Sequence, residues 1–125
     1  MVLTIDEVQD MLEEMAGELP EWVYNDLNGG ILLLPDEVLA PEAVEDDLFT
    51  LGEYVCDEMM GRYIVIYYGS FCALFSEEPK KVWEDELRET LRHEFTHHVE
   101  SLAGERGLEI KDEEELREYF KEIGL

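Results

Sequence analysis

Basic residues are scarce in this chain of 125 residues. Nine lysines and arginines stand against 33 aspartates and glutamates, which gives a formal net charge of −24 at pH 7. Because nucleic acids and anionic membranes are bound through positive charge, we expect neither as a partner. The acidic excess indicates a highly soluble protein. The alternative interpretation is that the acidic surface attracts basic peptide substrates.

Cysteines and long apolar runs are also few. The two cysteines, Cys56 and Cys72, have no C-x-x-C spacing. The N-terminal stretch MVLTIDEVQDML lacks the basic start and apolar run of a signal peptide, and no stretch approaches eighteen apolar residues. We therefore expect a cytoplasmic protein without a membrane span, whose two thiols are reduced and buried.

Apolar residues are sufficient for one hydrophobic core. They make up 46% of the chain, so we predict a single domain over residues 1–125. Thr4 and Glu7 are spaced as a capping box ahead of an apolar stripe, which predicts an N-terminal helix. Strands are predicted at residues 31–35, 49–56 and 62–68, and Gly69-Ser70 is predicted to turn the chain after the last of them.

The longest predicted helix follows Pro79. It runs without proline or glycine to about Ala103, and Gly104 and Gly107 are expected to end it. A last helix is predicted from Asp112. The predicted fold class is α+β, with a small mixed sheet packed against helices and the longest helix near the C-terminus.

All three histidines of the chain lie on this long helix, in the segment LRHEFTHHV. At about 100° per residue, His93 and His97 share one face and Glu94 flanks them. His98 falls within the apolar stripe on the other side, so we expect it to be packed or to support a ligand rather than to bind metal. The predicted stripe consists of Leu87, Leu91, Phe95 and Leu102.

The pattern His-Glu-x-x-His on a helix is typical of a zinc site. Two imidazoles four residues apart can both present a nitrogen to one ion at about 2 Å. A glutamate beside the first histidine can accept the proton of a water molecule that zinc has activated. The alternative is a solvent-exposed helix face that carries two histidines by chance.

The segment HEFTHH resembles the small bacterial zincin-like metallopeptidases known as minimal zincins. It is preceded by RYIVIYYGSF and by an L-G-x-Y element at Leu51, Gly52 and Tyr54, and the resemblance extends from about Leu32 onwards. This resemblance implies that His93 and His97 bind Zn²⁺ and that Glu94 is the general base. It also implies an enzyme that hydrolyses peptide bonds in peptide or protein substrates.

The third zinc ligand departs from the pattern of that family. The family continues as HExxHxxGxxD, and here Glu100 and Ala103 occupy the positions of the glycine and the aspartate. We predict Asp112, the first aspartate after the glycines, as the third ligand, and Glu100 is the alternative. The other possibilities are Glu105, Glu109, Glu113 and water.

Two other functions compete with the peptidase. One is a catalytically weak or inactive zinc- or peptide-binding module on the same fold, which would have no use for Glu94 as a base. The other is a metal-dependent ribonuclease, which the net charge disfavours. For a peptidase, the group that stabilises the oxyanion has four candidates: Tyr54, Tyr63, Tyr67 and Tyr68.

Overall fold

A computed structural model describes residues 2–19, 21–24, 26–39 and 49–106, with the backbone alone at residues 22 and 102–106. Two long helices and one short one accompany a three-stranded sheet, as the α+β prediction requires. In chain order the elements are α1 (Ile5–Gly17), a 3-10 helix (Glu21–Tyr24), β1 (Gly30–Leu34), β2 (Gly52–Asp57), β3 (Gly61–Tyr67), α2 (Tyr68–Phe75) and α3 (Lys80–Arg106).

The sheet is small and mixed, with the strand order β1-β3-β2. The central strand β3 pairs in parallel with β1, where Leu32 lies opposite Val65, and antiparallel with β2, where Tyr54 lies opposite Ile64. Ile64 and Ile66 of β3 are fully buried in the main core cluster, and Val65 between them is buried on the opposite face of this central strand. Within the described ranges, β2 is therefore an edge strand.

Helix α1 begins where its sequence predicts. The Thr4 hydroxyl accepts a hydrogen bond from the Glu7 backbone N–H, and the Glu7 carboxylate accepts one from the Thr4 backbone N–H, both at 3.1 Å. This reciprocal pair satisfies two backbone donors that the first turn of a helix leaves free. The buried side of α1, which closes one side of the core, consists of Val8, Met11, Leu12 and Met15.

The three predicted strands are present with shifted ends, but the predicted turn at Gly69-Ser70 is wrong. The chain passes from β3 directly into α2. Ser70 is fully buried, and its hydroxyl accepts a hydrogen bond from the backbone N–H of Val38 at 2.9 Å. A Cβ atom at Gly69 would lie 2.6 Å from the carbonyl oxygen of Pro35, so glycine permits this close approach. Both contacts join residues that are far apart in the sequence, so a prediction from local turn propensity does not take them into account.

Helix α3 starts directly after Pro79, as expected, and is longer than predicted. It continues through Gly104 to Arg106, so Gly104 does not end it. One glycine inside a helix costs only about 1 kcal/mol relative to alanine, which a long helix tolerates. Gly107 and the predicted helix from Asp112 lie outside the described residues. Neither α3 nor any other helix in the described ranges is long and apolar enough to cross a membrane.

The expectation that both cysteines are buried is wrong for Cys56. Cys56 is exposed, Cys72 is half-buried, and both are free thiols. Cys56 lies one residue before the end of the edge strand β2, close to the turn into β3.

Candidate metal centre

Helix α3 separates its apolar and histidine faces as the sequence predicts. Its buried side chains include Trp83, Leu87, Leu91 and Phe95, each at most 1% exposed. His93 and His97 are exposed on the other side. Three of the four predicted stripe residues are thus confirmed, and the side chain of Leu102 lies outside the described set. The buried stripe fixes the rotation of α3, and this rotation directs the two histidines outward.

The two exposed histidines converge. Their Nε2 atoms are 3.2 Å apart, and their rings lie edge to face with centroids 4.7 Å apart. Two nitrogens that each lie about 2.0–2.1 Å from one tetrahedral ion would be separated by roughly 3.3 Å. The separation of the two nitrogens is therefore compatible with their being ligands of one zinc ion.

Glu94 lies beside the pair and is buried. Ligand atoms of His93, Glu94 and His97 all lie within 4.8 Å of one another. The Glu94 side chain is only 4% exposed, and it makes no hydrogen bond to any described residue. Burial, and secondly the charge of Glu53, raises the pKa of its carboxyl to about 7. The sequence predicted the position of Glu94 next to the histidines, but not its burial.

His98 is fully buried, in agreement with its predicted place in the apolar stripe. Its Nδ1 is 2.8 Å from the hydroxyl oxygen of Tyr54 on β2, and the two groups share a hydrogen bond. The two ring centroids are 5.4 Å apart. His98 therefore connects α3 to the edge strand β2, directly beside the face that carries His93 and His97.

The histidine face opens into a cleft of about 640 Å³ between α3 and β2. A Cβ atom at Gly52 would lie 2.8 Å from Cγ2 of Thr90 and 3.0 Å from the carbonyl oxygen of Val65. Glycine at this position therefore lets β2 approach α3 closely. Of the lining residues, sequence reasoning assigned no role to Glu53 or Ser101. The cleft is lined by Gly52, Glu53, Tyr54, His93, Glu94, His97, Glu100 and Ser101.

Among the four tyrosines considered for oxyanion stabilisation, the structure places Tyr54 in the cleft. Burial is the main cause that raises the pKa of its hydroxyl to about 12, so the group stays protonated and can donate a hydrogen bond. Tyr68 instead donates to the backbone carbonyl of Leu3. Tyr63 and Tyr67 lie on β3, outside the set of lining residues.

Of the candidates for third ligand, the structure places Glu100 in the cleft. Its Oε2 is 4.0 Å from Nδ1 of His97, and its side chain is exposed. It is not part of the converging group formed by His93, Glu94 and His97. The other candidate carboxylates, those of Asp112, Glu105, Glu109 and Glu113, lie outside the described side chains.

Comparison with solved structures identifies a relative of this chain. No family model matches the chain, and no curated protein matches it either. A conserved hypothetical protein from Thermus thermophilus has a similar structure, with a TM-score of 0.69 and 32% sequence identity. The similarity covers 82% of this chain and 99% of that one. The chain belongs to the same family as this conserved hypothetical protein.

Proposed function

We propose that the protein is a zinc-dependent metallopeptidase. The observation that carries this proposal is the convergence of the His93 and His97 Nε2 atoms, 3.2 Å apart, beside the buried side chain of Glu94. The two imidazoles would hold the ion together with one further ligand. A zinc ion supplies a Lewis acid that polarises a carbonyl group and makes water a nucleophile near neutral pH.

Glu94 would act as the general base. A catalytic base works best when its pKa lies near the working pH, and burial raises the pKa of this carboxyl to about 7. Its oxygens are free to accept a proton, because no hydrogen bond to a described residue occupies them. A site that only bound zinc would not need a buried carboxyl held in this way.

Tyr54 would assist from the opposite wall of the cleft. Its hydroxyl is protonated at neutral pH, and its hydrogen bond to the buried His98 fixes its position. If His98 donates from Nδ1 to the Tyr54 oxygen, the single O–H of the tyrosine is left to stabilise negative charge that develops on the carbonyl oxygen of a substrate. The cleft is open to solvent and bordered by an edge strand, which suits an extended peptide rather than an enclosed small molecule.

The proposal predicts metal-dependent cleavage of peptides. A library of internally quenched fluorescent peptides should be hydrolysed by the zinc-loaded protein, and a chelator should reduce the rate at least tenfold. One equivalent of zinc should restore it, and excess magnesium or calcium should not, because imidazole nitrogens favour zinc over these oxygen-seeking ions. Zinc binding without any cleavage would contradict the peptidase and support a zinc- or peptide-binding module.

The third ligand is predicted to be Asp112, with Glu100 as the competitor. Asp112→Ala should lower zinc affinity about a hundredfold, because structural zinc binding of about 10–16 kcal/mol is distributed over roughly four ligands. Glu100→Ala should lower it less than threefold, because three ligands from one straight helix give poor tetrahedral angles. Titration with a competing zinc indicator measures both variants side by side. A large loss confined to Glu100→Ala would assign the ligand to Glu100.

A further inference from the structure

Glu53 lies in the same cleft, on the opposite wall from the histidines. It is exposed on the edge strand β2 and lines the cleft together with Glu94 and Glu100. Its carboxylate is close enough to Glu94 to contribute to the raised pKa of that group, second to burial. The zinc-dependent function proposed above gives Glu53 no task.

Among the described residues, the lining of the cleft contains three carboxyl groups and neither a lysine nor an arginine. Arg62 on β3 has a weak effect on the pKa of Tyr54, but it is not a lining residue. If a zinc ion and one acidic ligand occupied the histidine end, Glu53 would still face the open cleft.

A second observation shows that the cleft is not merely an acidic surface. The Glu94 side chain is only 4% exposed, lines the cleft and has no hydrogen-bond partner among the described residues. The Glu94 carboxyl is therefore enclosed by the walls of the cleft, whereas the carboxyl groups of a solvated acidic patch are exposed.

The side chain of Glu53 also lies near that of Tyr67. The pKa of the Tyr67 hydroxyl is raised by burial and then by the charge and hydrogen bond of Glu53, so the two side chains are within hydrogen-bonding reach. An ionised carboxylate has about four acceptor positions, so contact with Tyr67 would leave others for a ligand.

We propose that Glu53 binds a cationic group of the peptide substrate, so that the cleft selects peptides with a positive charge next to the bond to be cleaved. That the ligand is a substrate rests on the peptidase function proposed above. The charge is supplied either by a lysine or arginine side chain or by the free α-amino group of a peptide. Both sources offer N–H donors that a carboxylate accepts in a charge-assisted hydrogen bond.

The test measures peptide binding rather than cleavage. Glu94→Gln protein, which should not consume peptide, is titrated calorimetrically with capped octapeptides that differ at one central position: lysine, norleucine or glutamate. A fourth peptide has norleucine at the central position and a free N-terminus. It distinguishes a positive charge on the α-amino group from one on a side chain. Each titration is run with one equivalent of zinc and again after chelation.

With Glu53 intact, the lysine peptide or the free-amine peptide should bind about fivefold more tightly than capped norleucine, as expected for a largely exposed ion pair. Introducing Glu53→Gln into the Glu94→Gln protein should reduce this ratio of affinities to about one. Glu53→Lys should reverse the preference towards the glutamate peptide. The matched control Glu58→Gln removes the same charge from the exposed β2–β3 turn, outside the cleft lining, and should leave the ratio unchanged.

Three results would overturn the proposal: equal binding of all four peptides, an unchanged ratio in Glu53→Gln, or an equal loss in Glu58→Gln, which would indicate the net charge of the molecule instead. Thermal unfolding and circular dichroism of each variant identify a folding defect, and reversal by Glu53→Lys cannot arise from unfolding. If no peptide is ever cleaved but the Glu53-dependent ratio persists, the peptidase function fails and the cation-binding role of Glu53 stands.

Discussion

Replacement of Glu94 by glutamine is expected to lower the rate of peptide hydrolysis by about three orders of magnitude while zinc binding is retained. The amide has nearly the shape of the carboxyl group but cannot accept a proton, and loss of a positioned base typically costs about 10²–10⁴-fold. Zinc should be retained, because His93 and His97 keep their converging nitrogens. The rate constants and the zinc content are measured on the same preparation.

Glu94→Gln should also leave the fold intact or stabilise it. The carboxyl is buried without a hydrogen-bond partner among described residues, so a neutral amide removes the burial of a potential charge. Glu84→Gln is the matched control, since Glu84 lies on the same helix ten residues earlier, about 15 Å away along its axis, and does not line the cleft. Cleavage by Glu94→Gln at the wild-type rate would exclude Glu94 as the base.

Replacement of His93 by alanine is expected to lower zinc affinity by about a thousandfold. If structural zinc binding of about 10–16 kcal/mol is shared among roughly four ligands, one ligand accounts for about 2.5–4 kcal/mol, or a factor of about 10² to 10³. The upper end is expected here because the alanine also leaves His97 without the neighbouring ring that orients it, at a centroid distance of 4.7 Å. Elemental analysis and competition with a zinc indicator measure the loss.

Thermal unfolding provides a second measurement for the same variant. A ligand that binds the folded state raises its stability by mass action, so added zinc should raise the Tm of the wild type and not that of His93→Ala. His97→Ala should behave in the same way. Thr96→Ala is the control on the same helical turn, because its hydroxyl bonds to the Arg92 carbonyl and does not line the cleft. Undiminished zinc in His93→Ala would exclude the histidine pair as the metal site.

Several features of the fold follow from local sequence alone. The capping box of Thr4, the strand dominated by Ile64 and Ile66, and the start of α3 after Pro79 were all predictable, because capping and periodicity act over a few neighbouring residues. Helix α2 was not predictable in this way. Its start is stabilised by contacts of Gly69 and Ser70 with the segment around Pro35 and Val38, more than 30 residues away.

The features of the candidate site also fall into two groups, those that local sequence determines and those that tertiary packing determines. The sequence determined that His93 and His97 share one helical face, opposite the buried stripe of Leu87, Leu91 and Phe95, because helical geometry repeats every 3.6 residues. The tertiary structure alone decided that Glu94 is buried and that Tyr54, of the four tyrosines considered, lines the cleft.

The tertiary structure also brought Glu53 into the cleft and placed Tyr54 within hydrogen-bonding distance of His98. These features depend on how closely the edge strand β2 approaches α3, and that approach is possible because residue 52 has no side chain to collide with Thr90. A distance between two elements nearly 40 residues apart in the chain is set by packing of the whole core, which periodicity within one element does not encode.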